Sequence, residues 1–349
     1  MSDALGSKTP GKERQILCHP TRILEQDNFT ERPQKLCPIM ITRLLQDAYV
    51  AGYVPLQSWL RVGTDVFDYE WDMLVILDAC RTDALREVKH EYDFIETVDE
   101  KWSIGSTSKE WLENTFVEKN RKAVENTAYV SANSFGRFFE EGDIDQLDYL
   151  AANGSKIVNN RLAPKLIRDD VLSAEDFLEF DLLWKEDLIG TDDSSIHPEV
   201  VTDKAISTMR SLEPDRLIVH YMQPHQPYIY TDEMEEWHTN PFQYLKNGGD
   251  FETVWDAYIE NLRFILDHLE VLLTNADADS VLVTADHGEL FGEWGLHAHA
   301  LGIPHPKLRK VPWVWTEATD ENTHTPDSYE SRTLSSDQSK SRLKDLGYL

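Results

Sequence analysis

The sequence Asp286-His287-Gly288-Glu289 closes an apolar run, Ser280 to Asp286 (SVLVTAD). An adjacent carboxylate and imidazole at a tight turn offer an oxygen and a nitrogen donor to a divalent cation. Asp78 ends a second apolar run, Asp72 to Asp78 (DMLVILD). Taken alone it reads equally as a ligand and as the cap of the helix that follows. His225 stands between Pro224 and Pro227 in the stretch Val219 to Tyr228 (VHYMQPHQPY). The two prolines stiffen that loop and fix the direction of the imidazole, so His225 is a functional candidate. His220 lies inside the apolar run and reads as a satisfied core histidine. His297, His299 and His305 crowd a Gly- and Pro-containing loop after the Asp-His pair, and at least one of them is expected to face the site. Hydroxyls come from Ser106-Thr107-Ser108, just ahead of a helical run that includes Trp111. Hydroxyls there are usually N-caps. A nucleophile at a helix start would use the same geometry, with backbone amides and the helix dipole facing an anion.

These groups need elements to position them. Apolar runs recur at 72–78, 127–131, 216–222 and 280–286, and helical patterns fall between them at 109–117, 197–211 and 254–274. In the last, Tyr258, Leu262, Ile265, Leu266, Leu269 and Leu273 make one apolar stripe of core packing. Strands alternating with helices predict an α/β fold, a mostly parallel central sheet with helices on both faces. In such sheets ligands gather beyond the C-terminal ends of the strands, where Asp78 and Asp286 fall. The organisation read from the chain is a proline-broken N-terminal arm (1–38), a catalytic domain (39–315) opening on a helical lead-in, a polar linker (316–340) and a short C-terminal docking helix (341–349).

Composition narrows the function classes. The chain of 349 residues carries 63 acidic and 34 basic side chains, a net charge of −29, and 41% of its residues are hydrophobic. That apolar share supports a sizeable core rather than wholesale disorder. The acid excess excludes nucleic acid as a simple electrostatic partner and adsorption to an anionic membrane surface. No run approaches the ~18 apolar residues of a membrane span. With no signal-peptide core at the N-terminus and only three scattered cysteines, Cys18, Cys37 and Cys80, the expectation is a cytoplasmic protein. Most of the negative charge reads as a surface suited to a salt-rich cytoplasm, where the Debye length is short.

Together the motifs resemble the alkaline phosphatase superfamily, particularly its sulfatase-like branch. The resemblance rests on Leu74 to Asp83 (LVILDACRTD), the Ser/Thr segment with Trp111, Met222 to Tyr228 (MQPHQPY) and Ala285 to Glu293 (ADHGELFGE), in the family's order. It spans about Asp72 to Val314. It implies an alkaline phosphatase/sulfatase-like core and a metal-dependent hydrolase or transferase of phosphate esters, working through a covalent intermediate. By position it makes Asp78, Asp286, His287 and the nucleophile metal ligands. The nucleophile is Ser108, three residues before Trp111, with Thr107 as the neighbouring alternative. His225 and His299 would touch the transferred group or hold a second ion, Arg81 would contact its equatorial oxygens, and Glu289 or Glu293 would buttress the turn. The His after Asp286 favours manganese or zinc over magnesium or calcium. Sulfatases form their nucleophile from a Cys-x-Pro-x-Arg motif. The only such match, Cys18-His19-Pro20-Thr21-Arg22, lies ahead of Asp78 rather than after it. A sulfatase, and a non-catalytic anion-binding member of the fold, are the alternatives. The substrate implied is a small anionic ester or one linked to a glycan or lipid, and the sequence leaves the oligomeric state open.

Overall fold

Five consecutive apolar residues, Met73–Leu77, carry no solvent-exposed surface, the pattern of a strand covered on both faces. The computed structural model of the chain describes residues 48–49, 52–137, 139, 170–183, 186–188, 196–231, 233–329 and 331–333. The expected N-terminal arm, the Cys18 to Arg22 stretch, the first part of the lead-in, the end of the linker and the C-terminal docking helix lie outside these residues. The strands are β1 (Met73–Leu77), β2 (Asp99–Trp102), β3 (Thr127–Ser131), β4 (Glu179–Leu182), β5 (Glu186–Leu188), β6 (Arg216–Tyr221), β7 (Ala278–Thr284), β8 (Leu290–Phe291), β9 (His297–Ala298), β10 (Lys310–Ala318) and β11 (Ser331–Thr333). Seven of them form one sheet in the order β2-β10-β7-β1-β6-β3-β4. The strands from β7 to β4 run parallel, with Val75 of β1 level with Val219 on one side and Val283 on the other. Only β10 runs against its neighbours. The sheet is therefore mostly parallel, as the alternating pattern requires.

Four helices matter for the site: α1 (Thr82–Val88), α2 (Ser108–Thr115), α3 (Pro198–Leu212) and α4 (Phe251–Leu273). Alternate residues of β1 point to opposite layers, which follows from the period-2 geometry of a strand. Met73, Val75 and Leu77 pack with Leu85 of α1, Val201 of α3 and Leu266 of α4. Leu74 and Ile76 pack with Trp111, Leu112 and Phe116 on the other face. The α4 stripe read from the sequence, Tyr258 through Leu273, is buried throughout. Each such leucine contributes about 1.5–3 kcal/mol on leaving water.

One boundary differs from expectation. Thr316 to Ala318, expected in the polar linker, complete the long strand β10. Beyond them, Asp320 is held by Arg210 of α3, and His324 and Tyr329 bond to the buried carboxylate of Asp203. A polar composition had suggested a linker because those side chains pair with α3 instead of packing in the apolar core. Among the described residues no helix is long and apolar enough to cross a membrane.

The parallel strands all deliver their next residues to one edge. Asp78 follows β1, Asn133 follows β3, His225 follows β6, and Asp286 and His287 follow β7. The segment after β2 reaches the same edge, where Ser103 Oγ donates to the carbonyl of Asp286. Gly105 lets α2 turn back tightly, because a Cβ there would lie 2.4 Å from the backbone N of Trp111. Gly105→Ala is therefore expected to force α2 off its seat and cost about 1–3 kcal/mol, read by urea unfolding. An unchanged midpoint would mean that α2 is not held by this contact.

Candidate active site

The hydroxyl cluster divides its labour among three adjacent residues. Thr107 is the N-cap of α2, its Oγ1 accepting from the Glu110 amide at 3.2 Å. Ser106 Oγ donates to Glu110 Oε2 at 2.6 Å and accepts from the Gly302 amide at 2.7 Å. Ser108 alone turns to the sheet edge, with Oγ 3.3 Å from Asp78 Oδ2 and 3.3 Å from His287 Nε2. The cap thus belongs to Thr107, and the hydroxyl that faces the buried cluster to its neighbour Ser108.

Asp78, His220, Asp286 and His287 are wholly buried around that hydroxyl. His287 Nε2 lies 3.7 Å from Asp78 Oδ1 and 3.4 Å from Asp286 Oδ2, and His220 Nε2 lies 3.9 Å from a carboxylate oxygen of each aspartate. The outer atoms of the set are tied to protein. The amides of Ala79 and His287 donate to Asp286 Oδ1 at 3.2 and 2.9 Å. Asn133 Nδ2 donates to Asp78 Oδ2 at 2.6 Å. His287 Nδ1 donates to the Gly288 carbonyl at 2.7 Å, and His220 Nδ1 meets Tyr129 Oη at 2.8 Å, so both imidazoles aim Nε2 inward. The inner atoms Asp78 Oδ1, Asp286 Oδ2 and His220 Nε2 have no hydrogen-bond partner. Burial, and then the charge of Asp286, push the Asp78 carboxyl well above the usual carboxylate range. Buried acceptors aimed at one point without a donor are costly unless a cation satisfies them. The residues present therefore fit a divalent ion.

Two residues here escaped sequence reasoning. His220, expected to be a satisfied core histidine, has one nitrogen satisfied and the other aimed at the carboxylates. Asn133 was not singled out. Its one signal was its place just past the end of an apolar run, as for Asp78. The backbone that aims Asp78 is itself constrained. Ala79 adopts a left-handed conformation, φ 60°, which costs a residue with a Cβ about 1–3 kcal/mol. Tyr258 Oη holds it by donating to the Ala79 carbonyl at 2.8 Å and accepting from the Arg81 amide at 2.9 Å. Gly288 permits the turn after His287, since a Cβ there would lie 2.1 Å from the Lys307 carbonyl oxygen.

Beside this cluster lies a second, with ligand-type atoms of His225, Glu289 and His299 within 4.8 Å of one another. The His299 ring is 4.4 Å from that of His287 and 5.1 Å from that of His225, centre to centre. Its Nδ1 faces both oxygens of Glu289, at 3.2 and 3.1 Å. Burial works against a charged His299, but the Glu289 carboxylate and then Asp286 hold its pKa above the ordinary imidazole value. His225 is set by its own backbone, its amide donating to the Asp78 carbonyl at 3.1 Å while Asn261 holds the carbonyls of Pro224 and His225. The Glu289 carboxylate thus faces His299.

Arg81 is the clear correction. Expected to reach the transferred group, it is engaged instead by Asp83 and Glu293, with Nη1 2.8 Å from Glu293 Oε1 and Nη2 2.7 Å from Asp83 Oδ2. Cys80 is a buried thiol pushed far up by burial and by the nearby charge of Asp83, so it is no nucleophile. His305 caps a short helix at Pro306–Arg309, and His297 sits in the β8–β9 hairpin.

The imidazoles give a pH prediction for the metal-stripped protein. Burial lowers His220 to about 4, and burial followed by the charge of His299 holds His225 and His287 well below the ordinary value. The unfolded chain takes up a proton on each near pH 6.5, and the fold does not. Their contribution to stability is therefore present above pH 6.5 and is lost as pH falls toward 4, with Asp78 and His299, both shifted upward, offsetting part of the loss. His220 alone accounts for about 2 kcal/mol between pH 7 and 5. The Tm of the chelated protein, measured by calorimetry, is expected to fall steadily over that range. A flat profile would show that the imidazoles are not buried in the neutral form.

No family model matches the sequence, and no curated protein matches it. Solved structures are similar to the chain at low sequence identity. The soluble domain of lipooligosaccharide phosphoethanolamine transferase A from Neisseria meningitidis is 16% identical, with 72% of this chain and 77% of that one covered and a TM-score of 0.41. A protein of the alkaline phosphatase superfamily from Vibrio parahaemolyticus is 13% identical, with 78% and 69% covered and a TM-score of 0.35. The phosphonate monoester hydrolase of Agrobacterium radiobacter is 12% identical, with 70% and 67% covered and a TM-score of 0.32.

Proposed function

We propose that the protein is a metal-dependent enzyme that hydrolyses or transfers phosphate mono- or diesters through the hydroxyl of Ser108. The observation that carries this reading is the position of Ser108 Oγ, 3.3 Å from both Asp78 Oδ2 and His287 Nε2, beside inward-facing acceptors that lack a donor. Asp78, Asp286, His287 and Ser108 would hold the ion, with His220 alongside. When bound, a divalent ion lowers the pKa of the hydroxyl and draws charge from a phosphoryl oxygen. The nitrogen donors favour manganese or zinc over magnesium or calcium.

The chain's own residues supply the rest. Ser108 Oγ forms a bond to phosphorus as the bond to the leaving oxygen breaks, and the hydroxyl proton passes to solvent. His299, whose charged form the Glu289 carboxylate favours, donates a proton to the leaving oxygen. In the second half-reaction it takes a proton from the water or acceptor hydroxyl that releases the phosphoserine. Such proton transfer is worth roughly 10²–10⁴-fold. His225 neighbours His299 and would face the oxygens of the transferred group. The substrate is a small anionic ester or one carried on a glycan or lipid, and the proposed compartment is a salt-rich cytoplasm. A sulfate ester is the control substrate, because the described residues hold a hydroxyl and no accessible thiol at the nucleophile position.

Chelation is expected to abolish turnover of 4-nitrophenyl phosphate or its bis-ester, and added manganese or zinc to restore it. Ser108→Ala should lose roughly 10³-fold or more in kcat with the fold intact. Thr107→Ala should retain activity and lose about 1 kcal/mol of stability as a deleted cap. Full activity in Ser108→Ala would remove the nucleophile assignment, and faster turnover of aryl sulfate would reverse the ester assignment. A protein that binds no ion on metal analysis would be a non-catalytic member of the fold.

Salt gives a further check. The net charge of −29 repels an anionic substrate, and the Debye length falls from about 10 Å at 0.1 M to about 3 Å at 1 M. The kcat/KM for an anionic ester should therefore rise over that range, whereas a fall would mean that a local positive field dominates.

A further inference from the structure

We infer that Arg81 is a positioning residue for His299, acting through the hairpin that carries Glu289 and His299. The inference rests on the leaving-group role given to His299 above. Arg81 is 4% exposed and lies three residues after Asp78. Its guanidinium spends its donors on two segments. Nε and Nη2 grip Asp83 at 2.9 and 2.7 Å, while Nη1 donates to Glu293 Oε1 at 2.8 Å and to the Glu289 carbonyl at 3.3 Å. Its flat face lies over the rings of Trp255, at 4.8 Å, and Phe291, at 5.5 Å.

The segment so gripped cannot hold itself. β8 and β9 are two residues each, paired Leu290 to Ala298 and Phe291 to His297, too short for an independently stable hairpin. Their turn runs through three left-handed residues, Gly292, Trp294 and Gly295, of which Trp294 pays for its Cβ. Glu289 stands just before the hairpin and His299 just after it, so the hairpin's placement sets both ends of their contact. Glu293 passes the grip inward, its Oε2 accepting from the Phe291 amide at 2.6 Å. Arg81 thereby fastens the carrier of the second cluster to the turn that carries the first. The fixed planar fork suits this, because one guanidinium addresses two carboxylates and a carbonyl while stacking on a ring. A lysine ammonium supplies neither the fork nor the stacking face.

The test uses the full-length protein with Arg81→Lys and the milder Glu293→Gln, neither of which leaves an uncompensated cavity. Hydrogen exchange by mass spectrometry should show amides of 289–299 exchanging about tenfold faster than in the wild type, with β1 and α4 unchanged. Unchanged exchange in 289–299 overturns the inference, whether or not the protein turns over an ester. If Arg81→Lys fails to fold, Glu293→Gln decides on the same criterion. Kinetics give the second readout, from paired phosphate esters with a good leaving group, 4-nitrophenol, and a poor one, phenol. Loss of His299 placement should lower kcat for the phenyl ester about tenfold more than for the nitrophenyl ester, with KM unchanged and guanidinium partly rescuing Arg81→Ala. An equal fall for both esters overturns the positioning role, as a merely structural defect would produce it. Turnover of neither ester by the wild type refutes the reading under which His299 serves a leaving group, and exchange alone then decides whether the clamp exists.

Discussion

Two carboxylates, Asp78 and Asp286, are buried face to face at the centre of the sheet edge, and the local architecture is organised around making that tolerable. Like charges in a dry environment repel strongly, and burial alone already disfavours their ionised forms. The fold answers by fixing one oxygen of each with donors, Asn133 for Asp78 and two backbone amides for Asp286, while leaving the other oxygens aimed inward. His220 and His287 contribute nitrogens to the same space, each oriented by a bond on its far side. Such a set suits a positive charge among the four groups. Its cost is borne by the apolar layers above and below β1, which keep the strand ends at fixed separations.

Rigidity at this point is graded. The carboxylates and His287 hang directly from the ends of central parallel strands, which are paired on both sides. Ser108 sits on a helix that reaches the edge through a glycine-tight turn, one step removed. His299 sits farthest out, after a hairpin of two-residue strands. Constraint therefore falls from the buried carboxylates and His287 outward to His299. On the proposed reading that order would suit a reaction in which the ion set is preformed, while the leaving-group side admits esters of different size.

The sheet was legible because fully buried strands read as unbroken apolar runs, and every run singled out at 72–78, 127–131, 216–222 and 280–286 became a central strand. The ligands at their C-terminal ends were legible for the same reason, since an acid that terminates such a run has no apolar role. Asn133 was opaque because an Asn past a strand is an ordinary turn former, and its Oδ1 does cap the Phe135 amide while its Nδ2 reaches Asp78. His220 was opaque because the same apolar context that buries a core histidine also buries a ligand. Arg81 misled for a different reason. Its partner Glu293 is 212 positions away in the chain, and only the fold brings the two together. The linker assignment failed at 316–329 because polarity marks exposure poorly when a buried acid such as Asp203 waits to receive polar side chains.

The correction at Arg81 changes the electrostatics of the site as well as its geometry. With its guanidinium shared between Asp83 and Glu293, and Lys307 also on Asp83, that corner of the molecule carries two cations and two anions and contributes no net field. The local positive centre that an anionic ester needs must then come from elsewhere. The described residues offer a candidate ion site among four buried ligand-type groups, and His299, whose charged form Glu289 favours. On the proposed reading a divalent ion in the first would outweigh the second, because such an ion is the largest charge in its site. Against a protein of net charge −29, substrate attraction is confined to the few ångströms over which that ion is not cancelled by its own carboxylates. On the proposed reading Asp78 and Asp286 would have two opposed effects, holding the ion and neutralising it. Neutral imidazoles and a hydroxyl as the remaining ligands are what leave charge over for the phosphoryl group. A third carboxylate in place of His287 would consume it.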